Sequence, residues 1–125
     1  MRVYIAGPMR GVEDFNRPAF DDAETLLRDL GHEVVNPCRL AAILRDKEVT
    51  LDHLKEITVR DIAALYTCDR IAMLPGWEGS RGASLERQAA RYVSIPAIKI
   101  TTTQLEAGNA KRTSAHAAES DSGSP

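Results

Sequence analysis

The chain has 125 residues, enough for one domain with a modest core, and 43% of them are hydrophobic, as in globular proteins. A formal net charge of −2 gives no electrostatic case for a surface that binds nucleic acid or membrane, and no apolar run has the length of a membrane span. Cys38 and Cys68 form neither a C-x-x-C pair nor a Cys/His cluster, so buried thiols in a reducing cytoplasm are expected, and a disulfide framework or zinc site is not.

Residues 2–6 (Arg-Val-Tyr-Ile-Ala) have the composition of a strand, broken sharply by Gly7-Pro8-Met9-Arg10-Gly11. The spacing of Phe20, Ala23, Leu26, Leu27 and Leu30 predicts a helix over 15–30. Asn16 stands at its N-cap, Pro18 in its first turn and Gly31 just past its end. Residues 32–36 read as a short second strand closed by Pro37, with His32 as an ordinary turn histidine. The pattern over 38–50 is mixed: a short helix at 40–44, then a solvated charge cluster at 45–48. A second strong helix is predicted over 51–67, with Leu54, Ile57, Ile62 and Leu65 toward the sheet and Asp61 on its surface. Asp69 then stands at the mouth of an apolar strand over 70–74, where a structural role is expected. A glycine-rich turn, a helix over 83–93 and a last strand over 95–100, with Pro96 at its beginning, complete the pattern. From about 104 to 125 large apolar residues nearly vanish, which predicts a disordered polar tail behind a folded domain of residues 1–103. Strands alternating with helices imply right-handed crossovers and a parallel sheet of four or five strands covered on both faces.

The stretch Pro75-Gly-Trp-Glu-Gly-Ser-Arg-Gly-Ala-Ser-Leu-Glu86 carries the most functional information. A strand, a glycine-rich turn and a helix form half of a βαβ unit, and ligands collect at that turn, before the helix N-terminus. Gly76, Gly79 and Gly82 are expected to permit positive φ and close approach of a ligand. Ser80 and the first-turn N–H groups suit an anion, and Glu86 follows about one turn later. The plainer reading is a common turn whose glutamate complements the helix dipole. Dinucleotide and triphosphate signatures are missing: 7–11 is not G-x-G-x-x-G, and no G-K-[ST] follows a glycine run. No Ser-His-Asp or Cys-His arrangement is evident, because His32, His53 and His116 lie away from the glycine loops. Carboxylate chemistry remains, from Glu86, Asp61 and Glu78, with Tyr4 and Arg10 nearby in the first strand and its loop; such groups are the equipment of glycosyl transfer.

Tyr4-Ile-Ala-Gly-Pro-Met-Arg-Gly11, Asp61 with Asp69 eight residues on, and Ser80-x-Gly82-x-x-x-Glu86 together resemble the nucleoside 2-deoxyribosyltransferase superfamily. The pattern is most similar to the 2′-deoxynucleoside 5′-phosphate N-hydrolase branch and to related short phage and bacterial proteins, over roughly residues 2–100. The resemblance implies a flavodoxin-like fold and Glu86 as the nucleophile at the anomeric carbon. It implies Asp61 at the leaving base, as proton donor or holder, and Tyr4 orienting Glu86 or the sugar. Gly7, Pro8, Met9, Arg10 and Gly11 would line the nucleotide, Ser80 and Gly82 would bind the 5′-phosphate, and Trp77 would stack on a base or pack at the loop. Members that use free nucleosides tend to carry an acid where Ser80 stands, so serine favours a nucleotide. The implied activity is an N-glycosidase on a (deoxy)nucleoside 5′-monophosphate, without metal or organic cofactor. A transferase and a non-catalytic nucleotide-binding module are the alternatives, and Glu78 competes with Glu86 for the nucleophile role. The resemblance also implies a homodimer or larger symmetric oligomer, since family sites are often completed by a neighbouring subunit from the region after the last strand. Here that region carries no matching motif.

Overall fold

A computed structural model gives the fold and describes residues 1–40 and 50–122. Four strands, β1 (Arg2–Ala6), β2 (Glu33–Val35), β3 (Arg70–Met73) and β4 (Ala97–Lys99), form one parallel sheet in the order β2-β1-β3-β4. The helices are α1 (Arg17–Asp29), α2 (Pro37–Leu40), α3 (Leu51–Leu65), α4 (Arg81–Tyr92) and α5 (Thr102–Ser122). Strand alternation divides the core. Val3, Ile5, Ala72 and Leu74 meet Phe20, Ala23 and Leu27 of α1, with Leu105 of α5 against them. Tyr4, Ala6, Ile71 and Met73 meet Leu65 of α3 and Ala90 of α4. The architecture is the flavodoxin-like α/β fold, with helices on both faces of a doubly wound sheet.

Asp69 is structural, as expected: its carboxylate accepts from the Arg2 N–H at 2.9 Å, tying the starts of β1 and β3 together. The segment 40–48 falls largely outside the described residues, so the short helix and charge cluster expected there are not described beyond α2. Asn36 caps α2, its Oδ1 accepting from the Cys38 N–H at 3.0 Å.

Three expectations are corrected. The first helix starts at Arg17, because Asp14, Phe15 and Asn16 all adopt left-handed backbone, with φ of 53°, 52° and 59°. Asn16 occupies the N-cap position but makes no side-chain capping bond, since an αL residue does not aim its side chain at the N–H groups ahead. On α3 only Leu65 is buried; Leu54 is exposed and Ile57 half-buried, because the helix begins beyond the edge of a sheet whose β3 has four residues.

The third correction is the largest. Residues from 104 onward are not a disordered tail as far as Ser122: they continue α5, which docks along α1. Gly108 makes this possible, since a Cβ there would stand 2.9 Å from the Asp22 carbonyl carbon and closer still to its oxygen. Asp22, buried on α1, then accepts from Arg112 Nε at 2.8 Å and from Asn109 at 3.4 Å, and Lys111 pairs with Asp29. Close backbone approach and charge-assisted hydrogen bonds replace the apolar burial that the composition lacks.

Candidate active site

The sheet reverses its winding between β1 and β3, and at such a switch point ligands bind outside the carboxyl ends of the strands. Both glycine-bearing loops emerge there. Gly7 is required sterically: a Cβ at that position would lie 2.7 Å from Cβ of Leu74. Gly76 has φ of +83°, and a Cβ on it would lie 3.8 Å from Pro8, so the loops stand side by side. Gly79 and Gly82 do not use positive φ and have open space around them, contrary to expectation. The first closes a 3₁₀ turn (Trp77–Gly79) and the second lies in the opening turn of α4, where ordinary negative φ suffices.

Two side chains predicted for the site, Tyr4 and Glu86, meet in the layer between the sheet and α4, and Asp61 of α3 lies within electrostatic reach of both. Tyr4, mid-strand and fully buried, donates its hydroxyl proton to Oε2 of Glu86. Glu86 reaches it because Ala83 and Ala90, three residues before and four after, are the buried positions of α4; the three share the face turned to the sheet. Asp61 shares a face of α3 with the buried Leu65, four residues on, and its charge is felt by both Tyr4 and Glu86. The three form one electrostatic unit.

Burial governs their protonation. It pushes the Glu86 carboxyl up to about 8, against the lowering effect of the Tyr4 hydrogen bond, and the Asp61 charge adds to the rise. Burial pushes Asp61 up to about 6, partly offset by Arg60. The Tyr4 hydroxyl is raised by burial and by the charges of Glu86 and Asp61, so it is a fixed donor. At pH 7 Asp61 is therefore largely ionised, while Glu86 is held mostly as the neutral acid. The cysteines are no alternative nucleophiles, since burial pushes Cys38 up to about 12 and raises Cys68 as well.

Ser80 is the N-cap of α4, its Oγ accepting from the Ala83 N–H at 3.2 Å. Its own hydroxyl proton remains available, and the N–H groups of Arg81 and Gly82 have no helical acceptor. Gly82 thus sits in the first turn, at the same end of α4 as Ser80. The remaining candidates divide. Pro8 is half-buried beside Gly76, whereas Met9 packs its side chain against the core on the α1 face. Arg10 and Gly11 are exposed. Trp77 packs against the core cluster that contains Tyr4, which is the packing alternative for that residue. Glu78 is exposed in the 3₁₀ turn and lines a shallow depression with Trp77, Lys99 and Thr101, between the ends of β3 and β4. The geometry brings Glu86, and not Glu78, to Tyr4.

Sequence reasoning missed the left-handed turn at 14–16, which follows directly on the first loop and lies beside Cys38, whose Sγ is 3.9 Å from the Phe15 carbonyl oxygen. Asp14 and Asn16, residue types enriched in αL, were its local signals. Among the described residues no group of three or more His, Cys, Asp or Glu is placed to hold a metal ion, and no helix is long and apolar enough to cross a membrane.

The fold is similar to that of a 2-deoxyribosyltransferase from the psychrotolerant bacterium Bacillus psychrosaccharolyticus, described as a biocatalyst for the synthesis of antiviral and antitumoral nucleosides. The likeness has a TM-score of 0.61 at 19% identity and covers 84% of this chain and 80% of the other. A search of curated proteins finds no match. Residues 1–99, from β1 through β4, match the family described as "Domain of unknown function (DUF4406)". The chain belongs to the DUF4406 family.

Proposed function

We propose that this protein is an N-glycosidase that hydrolyses the bond between base and sugar in a (deoxy)nucleoside 5′-monophosphate. The observation that carries the reading is the hydrogen bond between the buried Tyr4 and the half-buried Glu86 at the switch point, with the charge of Asp61 felt by both. The Glu86 carboxylate attacks the anomeric carbon, the C–N bond breaks, and the base leaves with the bonding electrons and takes up a proton. Asp61, largely ionised at neutral pH, holds the base through an N–H, or delivers that proton in its minority acid form. Water then attacks the same carbon, releasing the sugar phosphate with retained configuration and restoring Glu86. The Tyr4 hydroxyl fixes the carboxylate and lowers the cost of its ionisation. Ser80 and the first-turn N–H groups of α4 receive the 5′-phosphate, which sets the sugar at a fixed distance from Glu86.

The likeness to a 2-deoxyribosyltransferase supports nucleoside chemistry at this site and favours one second reading: a transferase, in which a second base takes the place of water. The test is to incubate the protein with a panel of nucleosides and their monophosphates, with and without a free base, and to separate the products. Free base from monophosphates, abolished in Glu86→Gln, is the expected result. Products formed only when an acceptor base is present assign the transferase instead, and no product from any substrate refutes both.

A further inference from the structure

The first turn of α3 stands at the edge of the sheet where the glycine loops emerge, because a return crossover of a parallel sheet starts beyond the carboxyl ends of its strands. Leu51, Asp52 and Leu54 of that turn are exposed, whereas His53 is half-buried. Its place is fixed by the helix cap: the His53 N–H donates to Oγ1 of Thr50 at 3.2 Å. His53 shares one face of α3 with Ile57, Asp61 and Leu65 at four-residue spacing, and Leu65 packs in the cluster that contains Tyr4. The end of this stripe covers the sheet, so its start looks across the strand ends into the cleft. There Nδ1 of His53 is buried and has no hydrogen-bond partner among the described residues. A buried N–H without an acceptor is the costlier orphan, so the proton of the neutral imidazole belongs on Nε2, which becomes the donor.

We propose that His53 donates Nε2–H to the 5′-phosphate of the substrate, completing from α3 the phosphate site that Ser80 begins on α4. The inference rests on the reaction proposed above and adds a binding residue to it. The two helices run side by side in the same direction, joined by the Tyr66 hydroxyl on the Ala89 carbonyl at 3.0 Å. Asp61 and Glu86 mark a common level, since the charge of the first reaches the second. From Asp61, His53 lies eight residues back toward the start of its helix, about 12 Å along the axis. From Glu86, Ser80 lies six residues back, about 9 Å. A phosphate held by the first-turn N–H groups of α4 sits about 3 Å beyond them, which brings it to the level of His53. Packed helix axes lie about 8–10 Å apart, a gap that an imidazole on one helix and an anion at the start of the other can close. Ser80 and the N–H groups of Arg81 and Gly82 serve the oxygens that face α4, and His53 serves the oxygen that faces α3.

Calorimetric titration of the full chain with ribose 5-phosphate and 2-deoxyribose 5-phosphate tests it, with circular dichroism as the control for folding. Binding of a sugar phosphate needs no turnover, so it is read whether or not the protein cleaves a base from a nucleotide. His53→Phe keeps a packed ring and loses the donor, and should weaken the binding about tenfold. His53→Gln, whose amide nitrogen can stand where Nε2 does, should recover most of it. On a nucleoside monophosphate, His53→Phe should raise KM with kcat little changed, and the free nucleoside should be unaffected. Binding weakened by Ser80→Ala but not by His53→Phe overturns the proposal and leaves the phosphate site on α4 standing. Equal losses in His53→Phe and His53→Gln reduce the histidine to packing and overturn it too. A native protein that binds neither sugar phosphate overturns both the proposal and the phosphate site.

Discussion

Replacing Glu86 by glutamine keeps the shape of the side chain and an oxygen for the Tyr4 hydroxyl, and removes only the ability to ionise. The consequence for stability is calculable. The group titrates near 4.5 when free and near 8 in the fold. The folded state therefore holds a proton that the unfolded state has lost, throughout the window from 4.5 to about 8. Stability from this group is complete below pH 4.5, falls across the window and is constant above it. Each unit amounts to about 1.4 kcal/mol; allowing for relaxation toward solvent, the total is roughly 2–5 kcal/mol. Asp61 adds a smaller fall of the same sign between 3.8 and about 6, common to both proteins. Glu86→Gln should thus stand nearest the native protein at pH 5 and exceed it by about 2–5 kcal/mol at pH 9. Urea unfolding followed by the single tryptophan, Trp77, at pH 5, 7 and 9 measures this. A difference between the two proteins that does not change with pH would refute the burial argument for Glu86.

Other outcomes follow from the same geometry. Tyr4→Phe removes the one hydrogen bond that lowers Glu86, so the rise of kcat/KM with pH should move alkaline of its native position, seen in a pH–rate profile. Ser80→Ala loses the α4 cap, about 1 kcal/mol of stability by thermal unfolding. It should also lose about 1–3 kcal/mol in kcat/KM on a nucleoside monophosphate but little on the free nucleoside; equal losses on both would remove Ser80 from phosphate recognition. Gly108→Val drives a side chain into the Asp22 backbone, and should lift α5 and lower stability by about 1–3 kcal/mol in urea unfolding.

Much of this was legible in the residues. The apolar runs at 2–6 and 70–74 marked the central strands, and the alternation of Tyr4 and Ala6 with Val3 and Ile5 set the tyrosine on one face of the sheet. The glycine-rich turn followed by an unbroken helical run put Glu86 one turn into its helix, and the structure adds that it shares the inward face with Ala83 and Ala90. What escaped were features that depend on distant partners. Nothing near Asn109 and Arg112 shows that Asp22, some 90 residues earlier, will accept their hydrogen bonds. Composition therefore spoke for disorder, where a glycine-mediated approach and buried acceptors produced a docked helix. Asp22 and Glu24 look like surface charges on α1, yet both are buried, Glu24 accepting from Asn36 at 3.1 Å and from Arg28 at 2.8 Å. Leu54 and Ile57 failed for the opposite reason. Their periodicity is helical, but periodicity carries no information on how far the sheet extends beneath the helix.

Intact-mass and peptide analysis of protein quenched in acid during turnover of a nucleoside monophosphate tests the central claim most directly. The account predicts a sugar-phosphate adduct on the peptide that contains Glu86, formed as free base appears and missing in Glu86→Gln. Base release that persists in Glu86→Gln, or an adduct mapped to Glu78, would contradict it.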